Sequence, residues 1–460
     1  MTESSANGRY NWSKTNYLAN QEQVTKPKDE SEISHIIKNS NGLIRPIGSG
    51  LSYERIASVV ENPQQGVLVD LSYMNKLVSF DENTITVEAG MTVNQLFSTL
   101  QSMEPKRELP VSPGVIGLQT VSGAISTGTH GQGMFQSTLG DSVRSLRIVL
   151  PNGEIKSVDS EDSLFGAFIT SMGVLGVISQ ITFNTQPMRI LTARKYATTF
   201  ETFRSDFVKI NYTSEFTKGW WFPDSDLVHV WEVDEASSQE KVCYLNGDGS
   251  AICCSEVDVS LNESVAKMSA EMAHDTRSSH GKQFETIDRF KNAQNITGNI
   301  TQVYCKGIPV PQINCEISIP IEALPDALDA LKKWYQTTSK RLHYPFIFRC
   351  TGPSKAWLSG SFGRGTCWIG FLVYLAADGT AAQGGFDSMR EIQQVLARFN
   401  AVPHLGKHYA MDLYDFDDVL PRWSEFCDLR DEVDPDGKFL NEWMSKLFSK
   451  DEVLNKHVTI

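Results

Sequence analysis

The chain has 460 residues, of which 40% are hydrophobic, and a formal net charge of −13 at pH 7. This length predicts at least two domains, because a single hydrophobic core rarely serves more than about 300 residues. The acidic balance argues against nucleic acid, whose phosphates require a basic face, and against an anionic membrane surface.

No sequence segment predicts a membrane anchor or a secretion signal. The first ten residues are polar, and the most apolar stretch, residues 368–377, is much shorter than a bilayer-spanning helix. All eight cysteines lie at or after Cys243, and their spacing matches no zinc motif. We therefore expect a cytoplasmic protein with reduced thiols, no metal site, no membrane partner and no nucleic-acid partner.

Short strands and helices alternate from Ile33 to Thr185, which predicts a mixed first domain. Strands are expected at 67–71 and 85–88, and the hydroxyl of Thr92 can cap the helix that follows them. A hairpin is expected over residues 146–158, with the turn at Asn152-Gly153.

Two glycine-rich loops lie in this first part, at residues 45–52 (Arg-Pro-Ile-Gly-Ser-Gly-Leu-Ser) and 122–131 (Ser-Gly-Ala-Ile-Ser-Thr-Gly-Thr-His-Gly). Glycine lets backbone N–H groups approach a diphosphate closely, because no Cβ stands in the way. The first loop lacks the third glycine of the G-x-G-x-x-G pattern, and alone it would indicate only a turn. Together the two loops predict a binding site for a flavin dinucleotide.

The second part repeats a strand–helix–strand pattern, which predicts an antiparallel sheet backed by helices. The first unit is a strand at 314–319, a helix containing Leu328, Leu331 and Trp334, and a strand at 344–351. The second unit is a strand at 366–374, a helix, and a segment starting at Val402. The apolar positions of that second helix are Met389, Ile392, Val395, Leu396 and Phe399. The polar stretch 234–302 is interpreted as an insertion. The fold class expected is therefore α+β.

Several further segments, in this order, resemble the aldonolactone oxidoreductase branch of the vanillyl-alcohol-oxidase-type flavoproteins, a branch that includes gulonolactone oxidase, arabinonolactone oxidase, galactonolactone dehydrogenase and alditol oxidase. The resemblance covers nearly the whole chain. Besides the loop at 45–52, it rests on residues 11–13 (Asn-Trp-Ser), 127–133 (Thr-Gly-Thr-His-Gly-Gln-Gly), 220–223 (Trp-Trp-Phe-Pro), 316–320 (Glu-Ile-Ser-Ile-Pro), 357–359 (Trp-Leu-Ser), 403–407 (Pro-His-Leu-Gly-Lys) and 434–441 (Asp-Pro-Asp-Gly-Lys-Phe-Leu-Asn).

The resemblance implies an FAD-binding domain of the PCMH type at 1–190, a cap domain that carries the substrate face at 191–402, and a C-terminal segment at 403–460 that returns to the flavin. The implied reaction is hydride transfer from a CH–OH carbon of an alcohol or lactone to flavin N5. The residues expected to bind FAD are Arg45, Pro46, Ile47, Gly48, Ser49, Gly50, Leu51, Ser52, Gly114, Ser122, Gly123, Ser126, Thr127, Gly128, Thr129, His130, Gly131 and Ile178.

Leu51 departs from many relatives, which have at this position a histidine that binds the flavin ring covalently. Leucine cannot form that bond and would only pack beside the ring. We therefore expect non-covalent FAD, as in the plant dehydrogenase that also has leucine there.

Three residues are expected to serve catalysis by resemblance: Lys407, Arg349 and, secondarily, His404. Lys407 would stabilise charge near the flavin and orient a hydroxyl; the alternative for it is an exposed loop lysine. Arg349 would face the reacting centre or form a salt bridge, and His404 would act as a base or be structural.

Ile347 stands where relatives have the glutamate of an E-x-R pair with the arginine. Losing that glutamate would remove a hydrogen-bond acceptor, which makes a polyol or sugar lactone less favourable as substrate and favours an apolar or aromatic alcohol.

Gly114 corresponds to a position near the flavin where relatives have glycine or alanine, and glycine leaves room for O₂. This favours an oxidase that releases hydrogen peroxide, although Gly114 could also simply satisfy the turn after Pro113. Two alternatives stay open: a dehydrogenase that reduces a quinone or cytochrome, and a flavin-binding protein that has lost catalysis.

Overall fold

The computed structural model describes residues 8–114, 116–224, 227–247, 295–305, 312–340, 342, 345–375, 379–381 and 384–448. Most of the predicted insertion at 234–302 lies outside these residues, as does Tyr344 at the predicted start of a strand.

Twenty strands are assigned within the described residues. They are β1 (Gly8–Tyr10), β2 (Tyr17–Asn20), β3 (Val24–Thr25), β4 (Ile44–Ile47), β5 (Val67–Asp70), β6 (Leu77–Phe80), β7 (Thr84–Glu88), β8 (Arg107–Glu108), β9 (Val143–Val149), β10 (Ile155–Asp159), β11 (Val177–Asn184), β12 (Gln186–Pro187), β13 (Leu191–Thr199), β14 (Phe216–Phe222), β15 (Leu227–Glu235), β16 (Ile296–Gly298), β17 (Gln312–Pro320), β18 (Phe346–Thr351), β19 (Thr366–Tyr374) and β20 (Val402–Pro403).

The α-helices of the described residues span Glu30–Asn39, Val93–Ser102, Val121–Ser126, Phe165–Phe168, Phe200–Thr213, Ser238–Asn246, Ile300–Tyr304, Leu324–Thr337, Gly385–Leu396, Phe416–Val419, Trp423–Val433 and Glu442–Phe448. Short 3₁₀ helices span Gln21–Gln23, Leu71–Tyr73, Leu139–Ser142, Ile321–Ala323, Ala397–Phe399 and Met411–Leu413. None of the described helices is long and apolar enough to cross a bilayer.

The first part of the chain forms a parallel sheet, β3-β5-β4, and an antiparallel sheet, β10-β9-β11-β7-β6. The helix at Val93–Ser102 begins as predicted: the Thr92 hydroxyl accepts a hydrogen bond from the Gln95 N–H, and the Gln95 side chain accepts one from the Thr92 N–H. The predicted hairpin is confirmed as β9 paired with β10, and Gly153 in its turn has a φ of +79°.

The second part is an eight-stranded sheet in the order β16-β13-β15-β14-β18-β19-β17-β20, and its pairings are antiparallel. The helices Phe200–Thr213, Leu324–Thr337 and Gly385–Leu396 cover one face and share a buried apolar core with the strands. The α+β class and the antiparallel sheet backed by helices are therefore confirmed.

Residues on this sheet alternate between its two faces, and the alternation determines which side chains reach the site. On β14, Trp221 packs against Phe200 of the helical layer, and a Cβ on Gly219 would contact Phe203. Lys218 and Trp220 consequently point to the opposite face, which is turned toward the first part of the chain.

The described part of the C-terminal segment, residues 403–448, packs mainly against the first part. Phe426, Phe439 and Met444 belong to the same buried core as Val87 of β7 and Ile148 of β9. Backbone pairing also anchors this segment, because the Ile44 N–H donates to the carbonyl of Lys438 at 2.9 Å. The exact divisions at 190/191 and 402/403 stay predictions.

Candidate active site

A cavity of about 390 Å³ lies between the free face of the large sheet and the two glycine-rich loops. One wall comes from the loops at 46–52 and 113–130; we call it the glycine wall. The other comes from β14, β17, β18, β19 and residues 404–407; we call it the sheet wall. The site is thus formed by segments from both halves of the sequence.

The glycine wall has the close backbone packing that a dinucleotide site needs. A Cβ on Gly48 would lie 1.9 Å from Thr120 Oγ1, so only glycine lets the two loops approach this closely. Gly50 has a φ of +70°, and Ser49 Oγ donates a hydrogen bond to the Leu118 carbonyl. These small residues leave an open channel with main-chain groups along it, and the channel fits the flavin dinucleotide predicted from the sequence.

Most residues expected to bind FAD line the cavity. They are Pro46, Ile47, Gly48, Ser49, Gly50, Leu51, Ser52, Gly114, Ser122, Gly123, Ser126, Thr127, Thr129, His130 and Ile178. The remaining three, Arg45, Gly128 and Gly131, do not line it. Which of the lining residues touch the cofactor stays a prediction.

The Arg45 side chain lies in the protein core and not in the cavity. Its guanidinium is fully buried and donates to the carbonyls of Ile56, Gly173, Met172 and Phe439. Burial lowers the pKa of Arg45 to about 9, so it is still cationic at neutral pH. Arg45 therefore ties β4, the turn before β11 and the C-terminal segment together, and the expected contact with FAD is not supported.

Gly128 and Gly131 shape the second loop from behind. Gly128 has a φ of +73°, which L side chains rarely adopt. A Cβ on Gly131 would lie 2.2 Å from Ser112 Oγ. Both glycines therefore set the path of the loop without forming the cavity surface.

The sheet wall is organised in rows that cross neighbouring strands. In one row, Trp231 on β15, Lys218 on β14, Arg349 on β18 and Trp368 on β19 are successive register partners. In the next row, Trp220, Ile347, Gly370 and Glu316 are partners in the same way. Because such partners have Cβ atoms about 5 Å apart, charged groups from three distant sequence segments, those of Lys218, Arg349 and Glu316, become neighbours.

Glu316 is the centre of the charged cluster. Its Oε1 accepts a hydrogen bond from Arg349 Nη2, and its Oε2 lies 2.8 Å from Lys407 Nζ. The side chain is 1% exposed. Gly370 lies between Glu316 and Ile347 in its row, and its missing side chain leaves space beside the Glu316 carboxylate. We call Glu316, Arg349 and Lys407 the carboxylate hub.

The C-terminal segment brings Lys407 to this hub by pairing along β17. The His404 N–H donates to the Glu316 carbonyl at 2.9 Å, and the His408 N–H donates to the Asn314 carbonyl at 2.9 Å. Lys407 Nζ also donates to Asn314 Oδ1 at 3.0 Å. The alternative of an exposed loop lysine is therefore wrong for Lys407.

The charges of the hub are mutually dependent. Burial alone would raise the pKa of Glu316, but Arg349, Lys407 and His130 together hold it well below its ordinary value. Burial lowers the pKa of Lys407 while Glu316 opposes that shift. Glu316 is thus an ionised hydrogen-bond acceptor rather than a proton acceptor.

Two histidines border the hub and are kept neutral. His130 stacks on Trp368 with ring centroids 4.0 Å apart, and burial lowers its pKa to about 4. Burial and Lys407 lower the pKa of His404 well below its ordinary value, and the His404 ring accepts the Gly406 N–H at 3.1 Å. His404 therefore lies at the site but is poorly suited to act as a base.

The imidazoles of His130 and His404 and the carboxylate of Glu316 offer ligand atoms within 4.8 Å of one another. Arg349 and Lys407, however, already contact both oxygens of that carboxylate. A divalent cation would be repelled by these two positive groups. The cluster is therefore a poor metal site, and the expectation of no metal stays a prediction.

Glu316 corrects the interpretation drawn from Ile347. Ile347 lines the cavity as expected, but a carboxylate from β17 stands beside Arg349 in place of the one that β18 lacks. Arg349 consequently forms a salt bridge and also lines the cavity. The loss of a hydrogen-bond acceptor inferred from the sequence is wrong.

Lys218, Trp220, Trp231, Glu316 and Gly370 line the cavity without having been assigned to it from the sequence. A charged residue within a strand as apolar as Cys315–Pro320 was a usable signal, because such a carboxylate is rarely buried unless it is paired. The spacing of two between Lys218 and Trp220 also puts them on one face. Which face looks toward a cavity could not be read from the sequence.

Comparisons with known proteins agree with this architecture. The family described as D-arabinono-1,4-lactone oxidase matches residues 181–447, and an FAD binding domain family matches residues 22–159. Two curated relatives are similar over almost their whole length. The L-gulono-1,4-lactone dehydrogenase of Mycobacterium tuberculosis is 26% identical over 92% of this chain and 95% of its own, and the L-gulonolactone oxidase of Mus musculus is 25% identical over 95% and 97%.

Among solved structures, the cholesterol oxidase from B. sterolicum superimposes with a TM-score of 0.77. It covers 96% of both chains at 16% sequence identity. At this identity the similarity concerns the fold alone, and it carries no information about the substrate.

Proposed function

Since the chain belongs to the D-arabinono-1,4-lactone oxidase family and is an FAD-dependent oxidoreductase, we propose that it oxidises a CH–OH group of an aldonolactone, with FAD held non-covalently and O₂ as the acceptor.

The carboxylate hub is the observation that carries the substrate class. Glu316 presents a buried, ionised acceptor to the cavity, and Arg349 and Lys407 present donors next to it. A polyhydroxylated lactone offers hydroxyl donors and ring or carbonyl acceptors in close succession, whereas an apolar alcohol would leave most of these buried groups without partners. The hub therefore favours a sugar lactone over the aromatic alcohol expected from Ile347.

Apolar groups on the same wall suit one face of a sugar ring. Trp220 and Ile347 line the cavity in the row next to that of Lys218 and Arg349. Gly370 has no side chain, so it leaves space between Ile347 and Glu316. An aldonolactone would place its C–H face against the indole and its hydroxyl edge toward the hub.

The glycine wall would hold the cofactor, which when bound accepts the hydride from the substrate. Gly48, Gly50, Ser122 and Gly123 offer close main-chain groups to it. Leu51 lines the same wall, and its side chain has no atom that could bond covalently to a flavin. This residue supports non-covalent binding.

Gly114 supports O₂ as the acceptor. It lines the cavity in a left-handed conformation, with a φ of +73°, and carries no side chain that would obstruct a small molecule. The dehydrogenase alternative, in which a quinone or cytochrome takes the electrons, is the second candidate, because the similar protein of M. tuberculosis is named a dehydrogenase.

The test is anaerobic mixing of the purified holoprotein with a panel of aldonolactones, polyols and aromatic alcohols while the visible flavin absorbance is followed. We expect aldonolactones to bleach the flavin fastest and readmitted air to restore the colour with release of hydrogen peroxide. Bleaching only by aromatic alcohols would contradict the substrate class. Recolouring only with an added quinone or cytochrome would establish the dehydrogenase, and no bleaching at all would indicate a flavin-binding protein without catalysis.

The form of the cofactor is tested on the same sample by acid precipitation. Non-covalent FAD should appear in the supernatant, and a yellow, flavin-retaining pellet would contradict the assignment based on Leu51. The variant Leu51→Ala should release flavin in the same way.

A further inference from the structure

We propose that Lys218 is the residue that takes the hydroxyl proton from the substrate when its carbinol group is oxidised. The inference rests on the proposed function and adds a catalytic residue to it, on strand β14 of the large sheet, which carries no expected catalytic group.

The position of Lys218 on the sheet wall is the first support. It lines the cavity and is the direct register partner of Arg349, whose guanidinium belongs to the carboxylate hub. A substrate hydroxyl oriented by Arg349 and Glu316 is therefore within reach of the flexible Lys218 side chain.

Lys218 also differs from its neighbours in its contacts. Within the described residues it forms no ion pair, whereas Lys407 and Arg349 both contact Glu316. Its ammonium lies over the face of Trp220, with Nζ 4.6 Å from the ring centroid. An amine held against an indole in a partly enclosed cavity gives up its proton more easily than one paired with a carboxylate.

The surrounding charges act in the same direction. Burial, Arg349 and Lys407 lower the pKa of Lys218 to about 7, and Glu316 opposes them only in part. The titratable or charged side chains of the site that face this region come from every adjoining element: Arg349 of β18, Glu316 of β17, His229 of β15, His130 of the glycine wall, and His404 and Lys407 of the C-terminal segment. A fraction of Lys218 is therefore neutral at physiological pH and able to accept a proton.

The other groups at the site are less suitable as proton acceptors. Both oxygens of Glu316 contact cations, and its pKa lies well below the ordinary range. The pKa values of His130 and His404 are lowered, chiefly by burial, and the Lys407 ammonium is bound to Glu316. Among these five groups, Lys218 is thus the one whose protonation changes near neutral pH without breaking an ion pair.

The substrate hydroxyl loses its proton to Lys218, and its carbon loses a hydride. The substrate O–H bond breaks, the proton bonds to the neutral Nζ of Lys218 to give an ammonium, and the electron pair left on oxygen forms the new C=O bond. The C–H bond of the same carbon breaks with loss of a hydride, for which bound FAD is the oxidant. The ammonium then returns its proton to solvent.

The first experiment measures kcat/KM against pH for the wild type, Lys218→Met and Lys218→Arg. In the wild type the rate should rise with pH and level off above about 7, because only the neutral amine accepts a proton. In both variants kcat/KM at the plateau should be at least 100-fold lower, which is the usual size of the contribution of a general base. The rise of kcat/KM with pH below about 7 should also disappear. Lys195→Met is the matched control, since Lys195 lies 4.0 Å over the Trp231 ring but does not line the cavity.

A second readout needs no turnover. The rate at which an acylating reagent modifies Lys218 in the holoprotein, followed by peptide mass spectrometry, should reach half its maximum near pH 7, whereas exposed lysines should do so above pH 10. Half-modification of Lys218 near pH 10 would overturn the proposal. So would an active Lys218→Arg variant, because that result would assign a role to the charge alone. If no lactone is oxidised at all but the labelling midpoint is near pH 7, the proposed function is contradicted while the lowered pKa of Lys218 is confirmed.

Discussion

The two walls of the cavity are built from different parts of the polypeptide. The glycine wall presents main-chain groups, small side chains and hydroxyls, and its shape depends on close contacts such as Gly48 against Thr120. The sheet wall presents long charged side chains, and its properties depend on the ion pairs of Glu316. A wall of the first kind suits a large cofactor of fixed shape, while the second can polarise a small substrate.

This difference predicts two kinds of response to substitution. On the sheet wall, a change of one charge should alter catalysis while leaving the fold and the flavin content nearly intact. Behind the glycine wall, a change should act through packing and backbone conformation and should lower stability first.

The largest effect is expected for Glu316→Gln. Glutamine keeps the size but loses the charge that both Arg349 and Lys407 contact, so kcat/KM should fall roughly 100- to 1,000-fold. Flavin content should stay within a few per cent of the wild type. The matched control is Glu322→Gln, because Glu322 is exposed just beyond the end of β17. Equal losses of kcat/KM in the two variants would show that the carboxylate hub has no special role in catalysis.

Arg45→Met should produce the next largest effect, and it should be on stability. The substitution removes the guanidinium donor from four buried carbonyls, of which that of Ile56 still accepts from Asn441 Nδ2, and this should cost roughly 3 kcal/mol in the free energy of unfolding. Urea unfolding of the apoprotein measures this without any contribution from bound FAD. Arg144→Met is the control, since Arg144 is half-exposed and should change stability by less than about 0.5 kcal/mol.

If Arg45→Met instead abolished FAD binding without lowering the stability of the apoprotein, Arg45 would be a cofactor ligand after all. The same urea experiment and a flavin titration separate these outcomes.

The hub and its histidines also predict that stability falls in acid. The pKa values of His130 and His404 are lowered in the folded state, so the unfolded chain binds more protons once the pH falls below about 6.5. The lowered pKa of Glu316 adds to this below its ordinary value near 4.5. Stability should therefore decline from pH 6.5 downward and more steeply below 4.5, as measured by urea midpoints. The Glu316→Gln variant should still lose stability below pH 6.5, but without the steeper loss below pH 4.5.

The predictability of the molecule from its sequence follows the same division. The capped helix after Thr92, the hairpin around Gly153 and the strand–helix–strand units were predictable, because their signals lie within a few residues of each other. The glycine wall was also largely predictable, since two short loops carry most of it.

The sheet wall was predictable only in part. Lys407 and Arg349 were identified through a family resemblance, but their partner Glu316 was missed, because their contact depends on the register of β17, β19 and β18. No local pattern states that a carboxylate 33 residues before Arg349 in the chain will reach it. Arg45 shows the opposite error, because its neighbours in sequence line the cavity while its own side chain points into the core.

Gly114→Ala tests whether the glycine wall controls access of O₂. The new Cβ would lie 3.0 Å from the His130 carbonyl at a φ of +73°, so the variant should lose about 1 kcal/mol of stability. Its rate of oxygen uptake, divided by its rate of reduction of an artificial dye acceptor, should fall severalfold. Gly363→Ala is the control, because Gly363 has a φ of +64° with no atom within 4 Å of the added Cβ. It should lose similar stability but keep the ratio of oxygen uptake to dye reduction. An unchanged ratio in Gly114→Ala would remove the steric reason for assigning an oxidase.

The smallest effect is expected for Gly370→Ala. The added Cβ would lie 3.5 Å from Ile347 Cβ and 3.7 Å from Glu316 Oε1, which are ordinary contacts, so folding should be unaffected. The methyl group would occupy the floor of the cavity, and KM for the lactone should rise severalfold with little change in kcat. Gly219→Ala is the contrast on the opposite face of the sheet, where the Cβ would lie 2.7 Å from Phe203 and should lower stability instead. A higher KM without loss of stability in the first variant, and the reverse in the second, would show that only one face of this sheet binds substrate.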